Sequence, residues 1–315
     1  MPKTSIIIPT FNRAIFLREL LKFIFEADMP NVEVIVVDDG SSDGTSHLAK
    51  ELVDCYGPDL LRWFRFEENR GAPTARNLGV QVARGGYLLF VDSDDLLIAE
   101  GISILIESLE SDQLLDYAYG KVVITDCKLN PIATIPPCGS VFVDTPVEIA
   151  GYHWHTMGAL YRKSYLCKVG KWNEMLTGSQ DWEFQARIKL AKGRRKFVDT
   201  NVGLWRQHDG FRVGASKFRP DYIRSVMEAC SIILHSARDS GFCDTRLERR
   251  IARKLFVHAL EWGASDRVME RRECLYQARD CLSKDPIFYR FLSIFATLPT
   301  TLDASIQKRI RECFG

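Results

Sequence analysis

Three carboxylates fall within four consecutive positions at Asp92-Ser93-Asp94-Asp95, directly after the apolar run Gly86-Tyr87-Leu88-Leu89-Phe90-Val91. Carboxylates this close repel one another, and a hard cation that prefers oxygen ligands relieves the repulsion. The segment reads first as a metal site, set against the plainer reading of a solvated acidic turn. A second acidic turn, Asp38-Asp39-Gly40-Ser41, follows another apolar run, Val32-Glu33-Val34-Ile35-Val36-Val37. Asp, Ser and Gly are ordinary turn and capping residues, so this one alone says less.

Both turns need strands to deliver them. Short apolar runs alternate with amphipathic stretches through the first half of the chain, the pattern of a mostly parallel sheet with crossover helices. Strands are predicted at 5–8, 32–38, 61–66, 86–91, 117–125, 157–161, 196–199 and 202–205. Helices are predicted at 14–27, with Ile15, Leu17, Leu20, Leu21, Ile24 and Phe25 on the buried face, from Ser42-Asp43-Gly44-Thr45 onward with Asp43 or Thr45 as cap, at 73–83 with Pro73 in the first turn, at 98–110, and at 180–192 with Trp182, Phe184, Ile188 and Ala191 buried. In such open sheets ligands bind at the carboxyl ends of the strands, so the two acidic turns are expected to share one cleft. Five prolines and glycines between 131 and 146 mark 126–156 as an irregular excursion across its mouth. From Pro220 the period is helical throughout, with stripes through Ile223, Val226, Met227, Cys230, Ile233 and Leu234, through Leu247, Ile251, Leu255, Val257 and Ala259, and through Val268, Met269, Leu275, Ala278 and Leu282. The expected domains are 1–212, an α/β unit, and 213–315, a helical region.

With 315 residues, 46% of them hydrophobic, the chain can bury a sizeable core. None of its nine cysteines lies in a C-x-x-C pair or at zinc-like spacing with a histidine, which predicts reduced, mostly buried thiols and a cytoplasmic setting. The first strand begins too close to Met1 for a secretory leader, and no run reaches the roughly 18 to 20 apolar residues of a spanning helix. The net charge of +1 hides an asymmetry: residues 1–210 hold 23 Lys+Arg against 28 Asp+Glu, and residues 211–315 hold 19 against 13. A basic back third suits an anionic lipid or polymer, although arginines on solvated helix faces explain it as well. Nothing marks a nucleic-acid-binding surface, and no feature sets the oligomeric state.

Ser5-Ile6-Ile7-Ile8-Pro9-Thr10-Phe11-Asn12-Arg13, Val36-Val37-Asp38-Asp39-Gly40-Ser41-Ser42-Asp43, Asn69-Arg70-Gly71, Ala75-Arg76-Asn77-Leu78-Gly79 and Phe90-Val91-Asp92-Ser93-Asp94-Asp95 resemble, in order, the signatures of family 2 glycosyltransferases with the A-type fold. The likeness covers roughly the first 210 residues and not the last hundred. It implies a Rossmann-like, mostly parallel sheet flanked by helices, and a nucleotide diphosphate sugar, a UDP-sugar first, as donor. On the family's pattern Asp38 accepts the uracil N3–H, with Pro9, Thr10 and Arg13 lining the base pocket. Asp92 and Ser93 bind the donor, Asp92 nearer the ribose. Asp94 ligates Mn or Mg, and Asp95 supports or shares the metal. Arg76 contacts the base or pairs with the acids across the cleft.

In the family the base that deprotonates the acceptor is an Asp in an acidic pair at a helix start, and Gly178-Ser179-Gln180-Asp181-Trp182-Glu183 resembles that block. Gln180 stands where the family usually has Glu, which leaves Asp181 as the base and removes a neighbouring charge. Glu183 is the runner-up, but on a helix it projects about 200° from Asp181. Arg206 and His208 stand where relatives reach the diphosphate or metal. His153, Trp154 and His155 would roof the acceptor site, though aromatic rings also fill cores.

The resulting expectation is an inverting, metal-dependent glycosyltransferase acting on a glycan or lipid-linked saccharide. The alternative is a non-catalytic sugar-nucleotide or glycan-binding module in which Gln180 marks a decayed acceptor site. A dinucleotide-dependent oxidoreductase would need G-x-G-x-x-G after the first strand, and Pro9-Thr10-Phe11-Asn12-Arg13-Ala14 has no glycine. The apolar stretch 286–296, followed by basic residues at 308–311, reads either as a core helix or as an interfacial helix giving peripheral contact at the inner membrane surface.

Overall fold

Ile6, Ile7 and Ile8 have no exposed surface because β1 (Thr4–Thr10) is an inner strand covered on both faces, which is why its sequence runs apolar without alternation. The computed structural model describes residues 3–27, 29, 31–135, 149, 154–208, 219–263 and 268–282. The chain divides into two compact units: residues 1–141, 153–174 and 191–210 form the first, and 142–152, 175–190 and 211–315 the second.

The first unit is built on a nine-stranded sheet. β1 pairs in parallel with β2 (Val32–Asp38) on one side and β4 (Tyr87–Phe90) on the other, and β3 (Leu61–Arg65) pairs in parallel with β2. Helices α1 (Ala14–Glu26), α2 (Thr45–Tyr56) and α3 (Ala72–Val82) make the crossovers. Strand order therefore runs 3-2-1-4 and reverses direction at β1, so the turns after β2 and β4 flank the carboxyl end of β1. Such a reversal leaves a crevice where ligands bind. β5 (Leu96–Leu97), α4 (Ala99–Ser111), β6 (Tyr117–Thr125), β7 (Pro131–Ile135), β8 (Ala159–Arg162), α5 (Lys163–Val169) and β9 (Arg195–Arg206) complete the unit, with β8 antiparallel to β4 and β6, and β9 parallel to β6.

Several expectations need correction. The strands predicted at 196–199 and 202–205 are one strand, β9, because irregular pairing opposite Tyr119, Lys121 and Val122 absorbs the interruption without breaking it. β7 lies in the segment expected to be an irregular excursion; Pro131 is tolerated because, among the described residues, β7 pairs with β6 alone and its residues are largely exposed. Ile15 is 83% exposed, and α1 buries Leu17, Leu20, Leu21 and Ile24 instead. Among the described cysteines, Cys55, Cys127 and Cys167 are exposed and only Cys230, Cys274 and Cys281 are buried, so the expectation of mostly buried thiols does not hold for them.

The second unit packs α6 (Gln180–Leu190), α7 (Pro220–Asp239), α8 (Thr245–Gly263) and α9 (Val268–Cys281) around Trp182, Ala186, Ile223, Val226, Ile233, Ile251, Leu255 and Leu275. α6 is covered nearly all round, with Glu183, Gln185 and Lys189 buried beside its apolar residues, while Ala191 lies past its end and is exposed. Among the described residues no helix is long and apolar enough to cross a membrane. The segments 286–296 and 308–311, His153, and most of 126–156 lie outside the described residues.

Candidate active site

The turn after β2 is held from several directions. Asp38 is fully buried; its Oδ1 accepts the Ser41 N–H at 2.9 Å and its Oδ2 the Arg65 Nη1 at 2.7 Å. Asp39 spreads its carboxylate over the backbone N–H groups of Arg70 (2.7 Å) and Gly71 (2.9 Å), which ties the 69–71 loop to the β2 turn. Burial pushes the Asp39 carboxyl above its ordinary range, and those two donors offset this only in part. Gly40 sits at φ +77°, and a Cβ there would come within 2.7 Å of the Glu68 backbone, so the turn and loop pack as only glycine allows. Asp38 is thus engaged in building this wall. Pro9 and Thr10 end β1 beside it, buried, and Thr10 Oγ1 has no hydrogen-bond partner. An unmet polar atom at this strand end suits a ligand group arriving there.

The turn after β4 divides its acids among different partners. Asp92 Oδ1 accepts Arg76 Nη2 at 2.6 Å, and the Arg76 guanidinium lies 4.6 Å from the centre of the Trp172 ring. Burial raises Asp92, but Arg76 and His155 outweigh it and hold the carboxyl below the usual range. Asp94 Oδ2 lies 2.9 Å from His208 Nε2 and 3.6 Å from Arg13 Nη2. Asp95 is buried; its Oδ1 accepts the Arg206 backbone N–H at 3.0 Å and its Oδ2 stands 3.6 Å from His155 Nε2. Burial, then the neighbouring Asp94 and Asp92, push Asp95 well above the carboxylate range. Ser93 is buried within the same turn.

Around these acids the first unit gathers Arg13, Arg76, His155, Arg206 and His208. Arg76 comes from α3, whose next residue, Asn77, clasps the 172–174 segment: its Nδ2 donates to Trp172 O and Glu174 Oε1, and its Oδ1 accepts Trp172 N–H. Arg206 Nη1 pairs with Glu19 Oε2 at 2.8 Å, and its guanidinium lies over the Phe16 ring. Trp154 does not face a ligand. Its indole Nε1 donates to Tyr161 Oη at 2.8 Å, and its ring packs 5.6 Å from both Tyr117 and Tyr119, inside the aromatic core. Its neighbour His155 sits at Asp95 and against Trp205. Phe16, Glu19 and Trp172 were not singled out from sequence. The spacing of Phe16 and Glu19, three residues apart on α1 and in step with Arg13 just before it, is the signal that could have found the first two.

Asp181 belongs to the second unit, in the first turn of α6, where the helix dipole favours a carboxylate. It is partly exposed and its Oδ1 accepts the Trp182 N–H at 2.8 Å. Glu183 is buried and bound through both oxygens to Arg187, one turn on. The turn before α6 is fixed to α7: Ser225 Oγ accepts Gly178 N–H at 2.9 Å and donates to Gly178 O at 2.7 Å, while a Cβ at Gly178 would strike the Tyr222 ring.

Among the described residues no three His, Cys, Asp or Glu side chains converge as a ready metal cage. Asp94 and His208 nevertheless present one oxygen and one nitrogen donor to each other. Such a pair fits a divalent cation that takes its other ligands from phosphate oxygens and water.

Residues 5–165 match the model of the family described as Glycosyl transferase family 2. Curated relatives include the GalNAc(5)-diNAcBac-PP-undecaprenol beta-1,3-glucosyltransferase of Campylobacter jejuni, 35% identical over 108 residues, which are 34% of this chain and 34% of that protein. Glycosyltransferase GlyG of Streptococcus pneumoniae is 32% identical over 108 residues, 34% of this chain and 35% of that protein. The chain thus spans about a third of the length of these relatives. In three dimensions it resembles S. aureus TarS 1-349 in complex with UDP-GlcNAc, with a TM-score of 0.68 at 20% identity over 92% of this chain and 83% of that one. The mannosyltransferase PcManGT from Pyrobaculum calidifontis, in complex with GDP-Man and Mn2+, gives a TM-score of 0.51 at 17% identity over 91% and 75%. These likenesses establish the A-type glycosyltransferase fold.

Proposed function

Because the chain belongs to glycosyl transferase family 2, we propose that it moves a sugar from a nucleotide diphosphate sugar, a UDP-sugar by preference, to an acceptor hydroxyl with inversion at the anomeric carbon. The observation that carries this reading is the meeting of Asp94, His208 and Arg13 at the end of the sheet where strand order reverses. A carboxylate with an imidazole and a guanidinium around it suits a cation and a diphosphate together.

Thr10 and Asp38 address the base from the end of β1 and β2, Asp38 with lone pairs not taken by Ser41 and Arg65. Arg76 keeps Asp92 ionised and oriented for the ribose. Asp94 and His208 would hold Mn or Mg, which when bound neutralises charge on the diphosphate. Arg13 and Arg206 supply fixed positive charge beside the leaving group. Asp181 accepts the proton of the attacking hydroxyl; its support is the motif, its place at a helix start, and, among the described residues, the lack of an ion pair of the kind that occupies Glu183. A single in-line attack inverts the configuration, as it does in glycosidases that use one displacement. A glycan or lipid-linked saccharide is the proposed acceptor, supported by the undecaprenol-linked saccharide in the name of the Campylobacter relative.

Thermal unfolding with a panel of nucleotides and sugar nucleotides, with and without Mn, tests the reading, since a ligand of the native state raises its stability by mass action. UDP or a UDP-sugar with Mn should give the largest rise, and a matching donor should be turned over. No shift with any nucleotide rejects the proposal. Binding without hydrolysis or transfer across a broad acceptor panel leaves a sugar-nucleotide-binding module.

A further inference from the structure

One aromatic ring touches three of the basic side chains just described. The Arg13 guanidinium carbon lies 5.8 Å and that of Arg206 5.1 Å from the centre of the Phe16 ring, and the His208 imidazole packs against it at 4.9 Å between centroids, tilted by 30°. Arg13 precedes α1, whereas Arg206 ends β9 and His208 follows it, so the ring joins distant segments of the chain that nothing local would bring together.

Phe16 is not spent on the core. The buried stripe of α1 is Leu17, Leu20, Leu21 and Ile24, and Phe16 stands beside it, half-buried. Two guanidiniums crowded at one place repel one another. The negative face of an aromatic ring lowers that cost, and Glu19 on Arg206 (2.8 Å) and Asp94 on Arg13 (3.6 Å) lower it further from either side. We propose that Phe16 is a positioning residue whose ring assembles Arg13, Arg206 and His208 into one seat for the diphosphate of the donor. The inference rests on the nucleotide-sugar reading for the identity of the anion, and on the three ring contacts for the seat itself. Leucine fills much the same volume but has no such face, so it separates packing from attraction.

Titration calorimetry of pyrophosphate, UDP and uridine, with Mg in fixed excess, tests this on the wild type and on Phe16→Leu and Phe16→Tyr, each first checked for cooperative unfolding. Phe16→Leu should weaken pyrophosphate and UDP by roughly tenfold and leave uridine unchanged, while Phe16→Tyr stays near wild type. Should the leucine variant fail to unfold cooperatively, Phe16→Met takes its place with the same expectation. Equal pyrophosphate affinity in wild type and leucine variant, equal losses in the leucine and tyrosine variants, or no pyrophosphate binding by the wild type would each overturn the inference. Wild type that takes pyrophosphate but no nucleoside diphosphate would reject the nucleotide-sugar reading and leave the seat standing. UDP binding that is indifferent to position 16 would do the reverse.

Discussion

His208 Nε2 and Asp94 Oδ2 lie 2.9 Å apart across 114 positions of sequence. A histidine in a polar loop often does nothing beyond solvation, but here its ring is almost wholly buried, with 5% of the side chain exposed, and is seated against Phe16. The pair can donate to a cation only if both members are present. Asp94→Asn and His208→Ala should each lower transfer by roughly 100-fold or more, and His208→Ala should also move the Mn requirement to higher concentration. Initial rates against Mn at saturating donor check this; a His208→Ala curve superimposable on wild type would remove the imidazole from the metal seat.

Asp181 and Glu183 make opposite predictions although two residues separate them. Glu183 is buried and clamped by Arg187, so its loss should act mainly on stability. Asp181 is partly exposed, and among the described residues its oxygen is held by the adjacent N–H alone. Asp181→Asn should retain donor affinity and lose transfer by roughly 10²–10⁴-fold, the span expected when a general base is removed. Glu183→Gln should keep more of the turnover and unfold at lower temperature. Donor-binding and transfer assays on both variants separate the roles, and undiminished transfer by Asp181→Asn would dismiss it as the base.

Arg76 joins an ion pair and a ring contact in one side chain, since its guanidinium bonds Asp92 while lying over Trp172. Lysine keeps the charge but neither the fork nor the flat stacking surface. Arg76→Lys should therefore raise the donor KM by roughly 5- to 50-fold with a smaller change in kcat, and Trp172→Leu should follow it in direction. Steady-state kinetics decide it; an unchanged KM in both would make the cluster purely structural.

Much of this arrangement was legible in sequence. The strands leading to Asp38 and Asp92 announced themselves as apolar runs, interrupted only by Glu33, because inner parallel strands are covered on both faces. Their acids could be placed at one end of the sheet because that end follows from chain direction. The sequence could not say which acid pairs with which cation. Asp39 clasping the Arg70 and Gly71 amides, or Asp95 holding the Arg206 amide, joins distant segments through single backbone groups that have no residue signature. Trp154 could be a sugar platform or a core residue on sequence and is core, since an indole in an irregular segment reads the same either way until Tyr117, Tyr119 and Tyr161 are seen around it. Ile15 misled for a related reason: a helix start admits an exposed apolar residue without disturbing the 3.6-residue stripe behind it.

At the opposite end of the sheet from the acidic turns, Glu33 is fully buried near the start of β2 and joins four segments. Its Oε1 accepts Ser5 Oγ at 2.6 Å and the Arg84 N–H at 2.6 Å, and its Oε2 pairs with Arg62 at 3.2 Å, so β1, β2, β3 and the turn before β4 meet on one carboxylate. Burial pushes this carboxyl up, but the hydrogen bonds from Ser5 and Arg84 and the charge of Arg62 outweigh it, and the net direction is down. A carboxylate whose pKa is lower in the folded chain contributes stability above its unfolded value, near 4.5, and loses it as pH falls through the folded value. Glu33→Gln should therefore lower stability at pH 7 by about 1.5–3 kcal/mol, the range for hydrogen bonds to a charged group, and lower Tm accordingly. The gap to wild type should narrow as pH drops below about 4.5, because the unfolded wild-type chain then takes up a proton that the folded carboxylate still resists, and it should close only once pH passes below the lowered folded value. Paired denaturation curves from pH 7 down to the acid limit of folding provide the check. A gap that stays constant across that range would show that the substitution acts through shape or packing and that the charge on Glu33 contributes nothing.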